Sequence, residues 1–281
     1  MAKRKLYRHV TIFLILSVML SCILGGYAVS AQNHATQAQG DGLLINGVEP
    51  PNDAQAQDIG NDGQSIYEPY AFMFKIHDGK KNLSISNWYN KILSVDQFSQ
   101  SLLNRAYNQK YSANINGTCG CVAMATVTYY YRHKLSGFAN LPESINDIFD
   151  EYVKMYGLQG NEGTYSDTYK LKIKEYFARY GYNVNTERTT HLYKFTKIRE
   201  QIDAGRPIVI AVNGSLPYDS HAMVVVGYKK YEVKYKNWIG VTVTEEDYMY
   251  VIDEGWGREL YAYLHEDYMP DTWEITTMMP A

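Results

Sequence analysis

Two cysteines separated by one glycine open the small and apolar run Gly117-Thr118-Cys119-Gly120-Cys121-Val122-Ala123-Met124-Ala125. A thiol at a helix start meets unpaired backbone N–H groups and the positive end of the helix dipole, which favour thiolate. About a hundred residues later, His221 stands at the start of Ser220-His221-Ala222-Met223-Val224-Val225-Val226-Gly227-Tyr228. An imidazole at a strand end is held rigidly and can accept a proton from a thiol across a cleft. Asp253 ends a second β-like run and precedes Glu254-Gly255-Trp256-Gly257. Its carboxylate is placed to orient an imidazole, and Trp256 to shield that hydrogen bond from water. Upstream, Gln109 offers an amide to an oxyanion. Together these residue types describe nucleophilic acyl transfer, with a cysteine attacking, a histidine moving the proton, an aspartate holding the tautomer and an amide stabilising the tetrahedral state. Gly120, Ser220 and Trp256 would then line the substrate.

Taken singly, each residue has a plainer explanation. A cysteine on an apolar helix is usually a small core residue. A histidine at a strand edge is usually satisfied by packing, and Asp before Gly-Trp-Gly can simply make a turn. The order Gln, Cys, His, Asp carries the signal. No metal or cofactor is expected, because His133, His191, His221 and His265 lack ligand spacing and a thiol–imidazole pair needs neither.

The elements that must position these groups follow from periodicity. A capping box of Ser94 and Gln97 predicts a helix through Phe98, Leu102, Leu103 and Ala106. A second helix is expected from near Gly120 through Lys134. Ser144 caps a third, with Ile145, Ile148, Phe149, Tyr152, Val153 and Tyr156 on one face and Gly157 as its stop. A fourth spans 166–180 and a fifth 194–204. From Ile208 the period changes to β, with runs at 208–212, 222–228, 241–244 and 248–252. Helices first and strands second predict an α+β fold rather than an alternating one.

The 281 residues carry 46% hydrophobic, 20% charged and 14% aromatic side chains, enough for a sizeable core and unlike a disordered chain or a multi-span membrane protein. Four basic residues (Lys3, Arg4, Lys5, Arg8), an apolar run at 10–24 and the small Val29-Ser30-Ala31 site read as an export signal cut after Ala31. Cys22 is a lesser candidate for lipidation. Without residues 1–31 the net charge moves from −3 to −7, which disfavours nucleic acid as a partner. Residues 32–85 read as a polar linker or short pro-segment and 86–281 as the catalytic domain. The remaining cysteines, Cys119 and Cys121, are too close in sequence for an unstrained disulfide, so an exported chain keeps a thiol.

At these residues the chain resembles a family. Gly120-Cys121-Val122-Ala123-Met124-Ala125, with Tyr131 and His133 downstream, is similar to the nucleophile helix of streptopain-like secreted bacterial cysteine peptidases. The His221-Ala222 strand and the 251–257 stretch resemble that family's histidine and Asn-Trp-Gly-Trp-Gly regions. The layout is also similar to the bacteriocin-leader-peptidase-like group, with its upstream Gln and Cys-Gly pair. The resemblance implies a papain-like α+β fold with a helical lobe carrying the nucleophile and an antiparallel β lobe carrying the base. It also implies a peptide or protein substrate. The charge balance predicts no nucleic acid, and the signal predicts membrane contact only through itself and a secreted, cell-surface or periplasmic location. Asp253 stands where the streptopain pattern has Asn, and Glu254 where it has Trp. The streptopain-like frame selects Cys121 as nucleophile and the Cys-Gly frame selects Cys119; the contiguous match favours Cys121. Two rivals remain: a papain-fold binding module with degraded catalysis, and acyl transfer to an amine.

Overall fold

The computed structural model describes residues 42–45, 69–190, 193–213, 220–257, 261–266 and 272–281. The expected export signal, Cys22 and His191 lie outside these residues. No helix among the described residues is long and apolar enough to cross a membrane.

The helices form first along the chain. After α1 (Pro69–Ile76) and the strand β2 (Lys81–Ile92) come α2 (Gln100–Tyr111), α3 (Cys119–Lys134), α4 (Ile145–Tyr156) and α5 (Tyr169–Arg179), with α6 (Lys194–Asp203) later. The run of small residues lets α3 be buried on nearly every side, from Cys119 through Thr128 and again at Tyr130 and Tyr131. A helix apolar all round belongs inside a core. By contrast, α4 is amphipathic and ends where Gly157 takes φ 63°, the left-handed stop its sequence predicts.

The capping-box expectation is corrected. Residues 93–98 are not helical; Leu93 N–H still bonds the Val226 carbonyl as an extension of β2. The helix begins five residues later, with Ser99 as the cap accepting from Leu102 N–H at 3.4 Å. Long-range pairing explains the shift, because Ser99 bridges Trp256 and Gln100 N–H bonds the Gly255 carbonyl at 2.8 Å.

The strands are β1 (Leu44–Ile45), β3 (Thr164–Tyr165), β4 (Val184–Thr189), β5 (Ile208–Asn213), β6 (Ser220–Lys236), β7 (Thr242–Asp253), β8 (Ala262–His265) and β9 (Thr272–Pro280). Seven of the strands form one antiparallel sheet in the order β4-β9-β5-β6-β7-β8, with β2 also paired to β6. The mixture of helices and antiparallel sheet is the expected α+β class. The first half of β6 pairs β5, with Val212 opposite His221. Its second half runs between β2 and β7. Gly227 sits where β2 arrives: a Cβ there would lie 2.4 Å from the Lys91 carbonyl oxygen.

Two apolar clusters result. The larger joins α3, α4, α5 and α6 to the sheet, and it is rich in rings such as the stacked pair Tyr152 and Tyr176 at 4.5 Å. The smaller, Phe72, Met73, Ile85, Tyr231, Val233 and Met249, puts α1 on the distal arm of β2, β6 and β7. Ordered structure therefore extends upstream of residue 86 to include α1 and the start of β2. The short β1 pairs β3 and also touches β5 and β6.

Candidate active site

Cys119 is the first residue of α3, and its sulfur lies against the next element of the site. The Ala222 N–H on β6 is turned to it, as are the Gly120 N–H and its own. Three donors favour the thiolate, yet burial dominates and pushes the thiol up to about 12, with only 1% of the residue exposed.

Cys121 is placed differently. An α-helix turns 100° per residue, so two residues carry the side chain 200° around the axis. Cys121 shares electrostatic contacts with Tyr107, Tyr152 and Tyr156. Thr128, seven residues on and on the same face, shares a 3.0 Å hydrogen bond with Tyr152 Oη. Burial raises the Cys121 thiol strongly, and Cys119 raises it further. The Cys119 face instead continues to Val122, whose Cγ1 lies 3.5 Å from the position of a Cβ on Gly255. The sequence preference for Cys121 runs against this placement: the helix turns Cys119 to the histidine strand and Cys121 to α4.

His221 is fully buried. Its Nε2 lies 2.7 Å from the Glu254 carbonyl oxygen. A carbonyl only accepts, so Nε2 carries the proton and the lone pair is on Nδ1, the tautomer a base requires. Burial pulls the imidazole down to about 4, and the Glu254 carbonyl opposes that shift. Trp256 stacks on the ring at 5.0 Å.

Asp253 does not take the direct role predicted for it. Its Oδ1 accepts from Gly255 N–H at 3.0 Å, and its Oδ2 has no hydrogen-bond partner among the described residues. The register explains this: Val224 lies opposite Asp253, so the chain must pass Asp253 before a carbonyl can reach His221. The carboxylate shapes the turn that presents the Glu254 carbonyl. Burial raises its pKa to about 7; the Gly255 N–H opposes the shift and Glu254 adds to it.

Gln109 is exposed on α2 and lines a polar hollow of about 530 Å³. Asn104 borders the same hollow but is buried, and its Oδ1 accepts from Thr118 Oγ1 at 2.5 Å, one residue before Cys119. Sequence reasoning missed Asn104. The signal available was its position one helical turn before Asn108 and Gln109 on the same helix.

Gly120 provides close packing: a Cβ would lie 2.1 Å from Thr164 Oγ1 and 2.4 Å from Tyr169 Oη. Ser220 opens β6 and is half-buried. His133 lies near the far end of α3, with Nε2 3.0 Å from the Glu143 carbonyl oxygen and its ring against Tyr129. Among the described residues no cluster of His, Cys, Asp or Glu is arranged to hold a metal.

The thiol at the start of α3 thus meets β6 at Ala222, the residue after His221, whose ring is in the tautomer a base requires. A comparison with curated proteins finds no match. The Peptidase_C39 like family matches residues 92–269, well over half of the chain, and the chain therefore belongs to this cysteine-peptidase family.

Proposed function

We propose that the chain is an exported cysteine peptidase in which Cys119 is the nucleophile and His221 the base. The observation that carries this reading is the Cys119 sulfur lying against Ala222 N–H, next to a histidine held in its Nε2–H tautomer. The thiol proton moves to His221 Nδ1 as sulfur attacks the peptide carbonyl. The Cys119 N–H and the Asn104 carboxamide stabilise the oxyanion. The imidazolium then protonates the leaving amine, and water with His221 as base releases the acid from the thioester. Asp253 positions the turn, and Trp256 keeps water from the Nε2–H bond. Gln109 is the alternative amide donor. The helical part with the nucleophile and the antiparallel part with the base form the two lobes, and the order of basic, apolar and small residues in 1–31 supports export to the cell surface, medium or periplasm of a bacterium. The Gly120-to-Ala125 run and the Gly255-Trp256-Gly257 turn support a streptopain-like branch, with the nucleophile displaced to Cys119.

The resting site is shut. Burial raises the thiol and lowers the imidazole, so both groups are held neutral at rest. Both are also almost wholly buried, so a substrate can reach them only after the site opens, and we read the closed form as a latent one. The reading of 32–85 as a short pro-segment would make β1 the part that closes the site. Ile45 is fully buried, Leu43 and Ser166 exchange hydrogen bonds, and β1 lies between β3, which abuts Gly120, and β5 and β6. Displacing β1 opens the cleft to an extended peptide along Thr164–Tyr165.

Full burial of both reacting groups also favours the non-catalytic binding module, so the test is hydrolysis itself. Cys119→Ala is expected to abolish cleavage of an unfolded protein substrate, and Cys121→Ala to keep at least a tenth of it. Loss of activity only in Cys121→Ala would reverse the assignment; no cleavage by the wild-type chain after β1 is displaced would leave the binding module.

A further inference from the structure

We propose that the tip of the β6–β7 hairpin is a docking site for an anionic lipid bilayer. The hairpin turn presents Trp238, Ile239 and Val241 to water, with Trp238 92% exposed. Their exposure is built in. Asn237 N–H bonds the Val241 carbonyl at 2.9 Å, Gly240 N–H bonds the Asn237 carbonyl at 3.0 Å, and the Asn237 side chain accepts from Ile239 and Val241 N–H at 3.2 and 3.0 Å. A turn closed by four hydrogen bonds holds three large apolar side chains outward rather than letting them fold back. Such a cluster on a water-facing tip marks a contact with an apolar phase or partner.

The charges around it point to which one. Lys81 on β2 lies directly opposite Lys236 on β6. Like charges in that position repel and weaken a strand pair unless an anion lies between them. The arm's carboxylates are already engaged: Glu232 by Lys234, Glu245 by Lys80, Glu246 by Lys230, and Asp247 by His77 and His265. Lys81 has no carboxylate partner among the described residues, and Lys236 Nζ donates to Thr242 Oγ1 at 2.6 Å. Both lysines border a hollow of about 500 Å³ that Trp238 also lines. A pair of ammonium groups beside a projecting Trp, Ile and Val matches a phosphate headgroup with apolar chains beneath it. Trp sits at the headgroup level, the aliphatic residues enter the acyl boundary, and the lysines meet the phosphates. The arm carries this basic tip although the chain as a whole has net charge −3.

Tryptophan emission tests this in the full chain, because residues 1–31 contain no tryptophan and cannot report their own membrane contact. Vesicles of phosphatidylglycerol are expected to shift the emission to the blue, and phosphatidylcholine vesicles are not. Trp238→Phe should abolish the shift, and Lys81→Glu with Lys236→Glu should weaken vesicle affinity at least tenfold. Both variants alter exposed or rim side chains, so thermal unfolding should match the wild type. No shift with anionic vesicles, or a shift that persists in Trp238→Phe, overturns the proposal. So does a shift given by soluble polyphosphate, which would assign the site to a free anion. A shift that grows with protein concentration without vesicles would assign the tip to a second copy of the chain, against the proposal.

Discussion

Two buried groups of the site, His221 and Asp253, have been moved from their ordinary ionisation, and each move has a consequence in solution. His221 is pulled down to about 4, so it remains a neutral base throughout pH 5–8. In the closed chain the titration of the His221 ring, followed by NMR, is therefore expected near pH 4; a midpoint near 6.5 would mean an imidazole open to water. Asp253 is raised to about 7, so between about pH 4 and 7 the folded chain holds a proton that the unfolded chain has lost. Stability from this residue is therefore present at low pH and lost as pH rises through 7. Asp253→Asn keeps the acceptor for Gly255 N–H and removes the buried charge. It should stabilise the protein by about 2–4 kcal/mol at pH 8, with the gain shrinking toward pH 4, in urea unfolding at both values. Its kcat/KM should fall less than tenfold, since Asp253 acts through the turn. A ~10⁴-fold loss would instead mark a carboxylate bonded directly to the imidazole.

Among the elements, legibility followed how much each owes to its own sequence. The helix from Ile145 to Tyr156 has a cap, an unbroken apolar face and a glycine stop, and it lies where those signals put it. The helix carrying the cysteines and the one from Lys194 to Asp203 were equally plain. β2 was not, because of its twelve residues only Ile85 is buried and its polar face hides the alternation. The Ser94 box lost to pairing with β6 and with the Trp256 turn, contacts no local pattern encodes. At the site, cysteine, histidine and the Asp-Glu-Gly-Trp-Gly turn were visible as types and order. Which cysteine faces the histidine, and that a backbone carbonyl rather than a carboxylate meets the imidazole, depend on helical phase and strand register. Gly120 tests the packing directly. Thr164 Oγ1 and Tyr169 Oη share a 2.8 Å hydrogen bond in the space a side chain would need. Gly120→Ala should cost roughly 2 kcal/mol or more in denaturant unfolding, and a neutral result would show that the two hydroxyls can part.

For the whole molecule, a sheet centred on β6 joins three tasks. One end of that strand holds His221, its middle lets β2 approach at Gly227, and its far end carries the basic, apolar tip. The thiol and imidazole are buried between helices and sheet, and β1 packs on β3, β5 and β6, so under the proposed latency reactivity should depend on a segment distant in sequence. Ile45 anchors that segment, and Ile45→Asp would place a charge in its buried site. The most direct measurement is the rate and position of covalent labelling by a limiting thiol-reactive epoxide peptide, with the adduct located by peptide mapping. The expected result is modification of Cys119, at least tenfold faster in Ile45→Asp than in the wild-type chain and lost in His221→Ala. Labelling of Cys121, or equal slow labelling of both thiols whatever the state of Ile45 and His221, would contradict the assignment of Cys119 and His221 as a latent catalytic pair.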